Sequence, residues 1–216
     1  MVITSDARAQ LKIEGTRLIY LGRDKEANIT VINPSAEERL MQSWISRPDD
    51  GKDIPFAISQ PLALIPPGGR HLVRVFYAGQ GLPSDHESVF WLNILEIPRK
   101  PEQADTMQFA IRQRIKLFYR PTSLADSSIE AVRNLRWRKT QQRQIEVSNP
   151  SAFHVSLVDL ELKNPDQSQK LPDYIFLRPG ESLVLDTHSA VPNNSDLYFS
   201  EITDIGLQKR HHVTLP

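Results

Sequence analysis

The chain has 216 residues, 39% of them hydrophobic, with Lys plus Arg equal to Asp plus Glu at 26 each. That is enough for one large domain or two of about 100 residues, argues against global disorder, and leaves no net field that would favour nucleic acid or a membrane surface. The absence of cysteine excludes disulfides, thiolate catalysis and Cys-ligated zinc.

β-signals dominate from the start. Apolar alternation or short apolar runs fall at 11–21 (LKIEGTRLIYL), 25–33, 39–46, 54–59, 71–78, 87–97 and 107–119. Turn chemistry separates them: Asn33-Pro34, Pro48-Asp49-Asp50-Gly51, Pro66-Pro67-Gly68-Gly69 and Leu82-Pro83-Ser84-Asp85. About seven strands at such intervals predict an immunoglobulin-like sandwich. RPTSLADSS (120–128) reads as a hinge and IEAVRNL (129–135) as room for one helical turn. A second β-series follows: LRWR, RQIEVSN, FHVSLVDLEL, YIFLR, ESLVLD, LYFSEI and LQKRHHVTL, with turns at Asn149-Pro150, Asn164-Pro165, Pro179-Gly180 and Pro192-Asn193-Asn194. The expected fold is all-β, two sandwiches spanning 1–122 and 123–216, with no obvious sequence repeat between the halves.

Catalytic and cofactor motifs are missing. PPGGRH has glycines but lacks the Lys-Ser/Thr pair of a phosphate loop, and neither His-Glu-x-x-His nor Gly-x-Ser-x-Gly occurs. His86 and Glu87 are neighbours that a strand points to opposite faces, and His211-His212 reads as a basic terminal strand. The expectation is no enzyme, no metal and no cofactor. No run of about 18 apolar residues spans a bilayer, and MVITSDARAQ lacks the parts of a signal peptide. The chain is therefore read as cytosolic or as a processed sequence preceded by Met1.

One stretch stands apart. At about 3.3 Å per residue, a strand over 107–119 would run roughly 40 Å, twice the usual length. Met107, Phe109 and Ile111 share one face; Arg112, Arg114 and Lys116 follow on the other parity. The apolar row either fills a core or, at a sheet edge, offers pockets to an added strand.

LPSDHESVFWLNILEIPRKP (82–101) and QFAIRQRIKLFYRP (108–121) resemble the first domain of periplasmic pilus chaperones of the chaperone–usher pathway. GTRLIY, QSWI, LIPPGGRHLVRVFY, SNPSAFHVSL and EITDIG carry the resemblance along the chain. The resemblance implies a boomerang of two immunoglobulin-like domains, a periplasmic location, and a chaperone that binds, folds and caps pilus or fimbrial subunits by donor-strand complementation and passes them to an outer-membrane usher. It implies Met107, Phe109 and Ile111 as donor residues, and Arg17 and Lys116, supported by Thr16, as the anchor for the subunit's C-terminal carboxylate. It also implies an interdomain salt bridge of Glu87, Arg120 and Asp204. Arg112 and Arg114 have no counterpart in the pattern and are read as solvated strand cations. The short connection PRKPEQADT (98–106) is similar to the short-loop subfamily, and NPSAFH departs from the pattern Asn-Pro-Thr-Pro-Tyr-Tyr. The alternative reading is a peptide-binding immunoglobulin-like module outside pilus assembly. Strict alternation sets Lys116 on the face opposite Met107, so a bulge or strand twist is needed if both serve one face. An exposed apolar edge would also favour self-association of the free protein.

Overall fold

In the computed structural model, residues 11–98, 109–124, 128–164 and 168–216 are described. The chain divides into two compact units. Residues up to Leu82 with Val89–Tyr119 form the first; Pro83–Ser88 with Arg120–Pro216 form the second.

The first unit contains β1 (Lys12–Ile13), β2 (Arg17–Leu21), β3 (Ala27–Ile32), β4 (Arg39–Ser46), β5 (Phe56–Ile58), β6 (Leu62–Ile65), β7 (Arg70–Tyr77), β8 (Ser88–Ile97) and β9 (Ile111–Arg120). They make a sandwich of a four-stranded sheet, β1-β3-β7-β5, and a five-stranded sheet, β2-β9-β8-β4-β6. Alternate residues of each strand meet in one core that includes Val31, Met41, Val73, Phe90, Leu92 and Leu117. The stretch read as a single first strand is two, because the chain changes sheets: β1 pairs with β3, whereas β2 lies beside β9. Gly15 permits the crossing. Its φ of +150° disfavours a side chain, and a Cβ there would stand 3.2 Å from Ile29 Cδ1. Strand β6 was not predicted because LALI carries no alternation; the structure nevertheless buries Ala63 and Ile65 and exposes Leu62 and Leu64.

The second unit holds the single turn of helix α1 (Ser128–Ala131), then β10 (Arg136–Gln141), β11 (Gln144–Ser148), β12 (Val155–Lys163), β13 (Ser168–Lys170), β14 (Tyr174–Leu177), β15 (Ser182–Asp186), β16 (Asp196–Ile202) and β17 (Gln208–Thr214). One sheet runs β10-β11-β15. The other runs β13-β12-β16-β17, with β14 also pairing β12. A register shift between Val158 and Glu161, with Asp159 at φ 55°, bends β12 so that β14 flanks its first part and β13 its last. The short β13 is an addition to the predicted set.

The halves do repeat one device, contrary to the sequence reading. Asn-Pro-Ser-Ala occurs at 33–36 and 149–152, and each copy turns the same corner between corresponding strands. Asn33 Nδ2 donates to the carbonyls of Glu37 (2.7 Å) and Ile65 (2.9 Å), while its Oδ1 accepts from Ser35 Oγ (2.6 Å). Asn149 Nδ2 donates to Phe153 O (2.6 Å) and Arg178 O (3.0 Å), and its Oδ1 accepts from Ser151 Oγ (2.6 Å). Both asparagines are fully buried. A buried corner leaves carbonyls without water, and one amide group satisfies them.

Candidate functional site

Strand β9 is the centre of the site. It lies between β8, equal to it at ten residues, and β2, which has five. A five-residue strand cannot ladder along the whole of a ten-residue one, so among the described strands part of the β2 flank of β9 is left without a neighbour. Arg17, at the start of β2, stands beside Phe118 near the end of β9, which puts β2 against the later half. The open part is the earlier half, from Ile111.

Side-chain parity along β9 then has a direct consequence. Ile115, Leu117 and Tyr119 point into the core. Tyr119 closes the row against Tyr77 (ring centroids 4.4 Å apart) and Tyr20 (5.8 Å). Burial, reinforced by the neighbouring Tyr77, pushes the Tyr119 phenol above its ordinary pKa. Beyond Gln113, whose Nε2 donates to the Leu11 carbonyl, the row continues backwards with Ile111, 36% exposed, and Phe109, 75% exposed. These are core-type residues, in phase with a core row, with little over them. Met107 lies outside the described residues, as does most of the connection 98–106.

The opposite face of the same sheet carries the cations. Leu18 and Tyr20 of β2 face the core, so Arg17 faces outward, as do Lys116 and Phe118 of β9. The Arg17 guanidinium stands 5.8 Å from the Phe118 ring, and Lys116 Nζ stands 5.4 Å from the Trp91 ring of β8. Arg17 and Lys116 thus occupy adjacent strands on one face, and Thr16 beside them is exposed. Alternation is kept through 115–119, so no face reversal joins the two groups of residues. None is required. A strand added at the open flank lies in the plane of the sheet. Its side chains alternate between the two faces, one set over the core row and the other beside the cations.

Arg112 is exposed, as expected of a solvated cation. Arg114 is more than that. Its Nε donates to Asn93 Oδ1 at 3.1 Å, and its guanidinium lies 5.4 Å from the Trp91 ring.

The second charge set comes together inside the second unit. Arg120 Nε donates to Glu87 Oε1 (2.7 Å); its Nη1 and Nη2 donate to Asp204 Oδ2 (2.5 Å) and Oδ1 (2.6 Å). Glu87 is 1% exposed and Arg120 6%. Burial opposes the Arg120 charge, but the hydrogen bonds to Asp204 and the charge of Glu87 outweigh it and hold its pKa above the ordinary value. The sequence reading missed two members. Ser128 Oγ donates to Asp204 Oδ2 (3.2 Å). His154, standing where the family pattern has tyrosine, donates its backbone N–H to Glu87 Oε2 (2.8 Å) and brings Nδ1 within 2.9 Å of the same oxygen. Its ring stacks on Phe176 at 5.2 Å.

Among the described residues no group of three or more His, Asp or Glu is placed to hold a metal ion. His211 and His212 each face a carboxylate, Glu201 (2.7 Å) and Asp196 (3.0 Å).

Comparison with known proteins places the chain in a family. Residues 10–125 match the pili and flagellar-assembly chaperone family, PapD N-terminal domain, and residues 130–213 match the pili assembly chaperone PapD, C-terminal domain. The chain belongs to the PapD family of pilus-assembly chaperones. It is 39% identical over 180 residues to chaperone protein FimB/FhaD of Bordetella pertussis, covering 77% of this chain and 73% of that protein. It is 31% identical over 222 residues to the probable fimbrial chaperone YadV of Escherichia coli K12, covering 95% and 90%. A crystal structure of YadV chaperone superposes with a TM-score of 0.83 at 30% identity, covering 95% of this chain and 99% of that one. The two immunoglobulin-like domains expected from the sequence are the architecture of this family.

Proposed function

We propose that this chaperone acts in the periplasm by lending the open flank of β9 to a pilus subunit whose own sandwich lacks a strand. The carrying observation is the exposed continuation of a core row, Phe109 and Ile111, beside that flank. A subunit strand laid there gains backbone hydrogen bonds from β9 and covers the apolar row, the strand-addition mode of recognition. Met107, two residues before Phe109 in the sequence, is the third donor residue on this reading. Arg17 and Lys116, with Thr16 beside them, hold the terminal carboxylate of the incoming chain. Charge-assisted bonds of this kind contribute about 1.5–3 kcal/mol each and fix the register, since a slip of one residue would turn every apolar side chain the wrong way.

Glu87, Arg120 and Asp204 take no part in capture on this reading. They stiffen the two segments, 83–88 and 120 onward, at which the chain passes between its units. Transfer of the captured subunit to an outer-membrane usher completes the role. The same uncovered row gives the free protein a tendency to self-associate.

The test is co-expression with the cognate subunit in the periplasm, comparing wild type, Arg17→Ala and Lys116→Ala for a soluble one-to-one complex. Both variants fold and fail to capture if the cations are the anchor. Capture by both at the wild-type level removes the anchor from the mechanism.

A further inference from the structure

Arg114 stands on β9 between Arg112 and Lys116. A strand cation that merely meets solvent has no need of a buried support, yet Asn93 is 0% exposed and turns its Oδ1 to Arg114 Nε. The amide is held rigidly. Its Nδ2 lies 3.1 Å from Ser46 Oγ and 3.3 Å from the carbonyls of both Trp44 and Trp91. The Trp91 ring backs the guanidinium and also Lys116, each at 5.4 Å. Fixing Nε on one side leaves the two Nη groups as the presented end of the fork, and among the described residues nothing accepts from them.

The direction of an incoming strand follows from the reading above, on which this inference rests. Its terminal carboxylate sits at Lys116 and its apolar side chains reach back toward Ile111 and Phe109, so it runs parallel to β9. Upstream of its terminus, the next outward-facing side chain therefore passes Arg114, two residues or about 7 Å before Lys116. We propose that Arg114, oriented by Asn93 and Trp91, is a specificity-determining residue that selects subunits with an acidic side chain at that outward position of the C-terminal strand. A carboxylate at that position accepts from the guanidinium fork that Asn93 and Trp91 hold in place.

The test uses the full chain and fluorescein-labelled synthetic 12-residue peptides of alternating apolar sequence, read by anisotropy. Each peptide carries a free-acid or amidated C-terminus, and Asp or its isostere Asn at one of the three positions preceding the last. Free-acid peptides bind more tightly than amides. Asp improves affinity over Asn by about tenfold, allowing for a partly exposed cation, at outward-facing parity alone. Arg114→Gln abolishes that ratio and keeps the acid-over-amide preference. The proposal is overturned, with the anchor intact, if wild type shows no Asp-over-Asn ratio or if Arg114→Gln retains it. Equal binding of acid and amide peptides instead removes the anchoring reading, and this proposal with it.

Discussion

Truncating Phe109 separates folding from function. Full burial of a phenylalanine side chain stabilises by up to about 3 kcal/mol. Phe109 is 75% exposed, so about a quarter of that, roughly 0.7 kcal/mol, is at stake in the free protein. At a urea m-value of about 2.5 kcal/mol/M, Phe109→Ala shifts the unfolding midpoint by about 0.3 M. Leu117→Ala, in the same row of β9 but 0% exposed, loses about 2–5 kcal/mol and shifts it by about 1–2 M. Subunit capture reverses the ranking. Once a subunit covers Phe109, its truncation costs the remaining three quarters, about 2.3 kcal/mol of binding, near 50-fold. The assay is a pair of measurements on each purified variant: the urea transition by circular dichroism and the yield of subunit complex in competition with wild type. The reasoning fails if Phe109→Ala is as unstable as Leu117→Ala, or if it remains folded and competes on equal terms.

Arg120→Ala strands the buried Glu87 carboxylate and lowers stability by about 3–5 kcal/mol, whereas Arg120→Met combined with Glu87→Gln recovers most of the loss; chemical unfolding of the three proteins decides this. Asn33→Ala and Asn149→Ala each leave two or more buried carbonyls unsatisfied. Each costs about 2–4 kcal/mol, and similar losses from the two sites are the signature of one repeated corner. The Asp196 carboxyl is held below its ordinary range by the Thr214 hydroxyl (2.8 Å) and by His212. A depressed carboxyl contributes stability that is present above its unfolded pKa and lost as pH falls through the folded one. Thr214→Ala moves the Asp196 titration back toward higher pH, measurable by NMR.

Strand parity was legible because its signal is local, whereas the salt-bridge residues came from the family resemblance. Alternation in IRQRIKLFY placed Lys116 and Ile115 on opposite faces, and the structure keeps that parity. The residues implied for the salt bridge, Glu87, Arg120 and Asp204, come together although the first and last are 117 positions apart. Their partners Ser128 and His154 were missed: a serine and a histidine in turns carry no periodicity, and nothing in NPSAFH says which carboxylate will lie opposite. The corner motif stands in the sequence as two copies of Asn-Pro-Ser-Ala, but four shared residues between strands of differing sequence carry no repeat period.

By itself the sequence determined the two-sandwich class and the parity of the side chains on β9, since these depend on composition and on the period of the chain. It did not determine whether Phe109 and Ile111 were core or uncovered, because burial depends on what lies across the sheet and alongside the strand. Only the tertiary structure decided that. It moves the chain to the other sheet at Gly15, leaves β2 half as long as β9, and sets Asn93 beneath one of three similar cations. A strand's own residues fix which way its side chains point; its neighbours decide what those side chains meet.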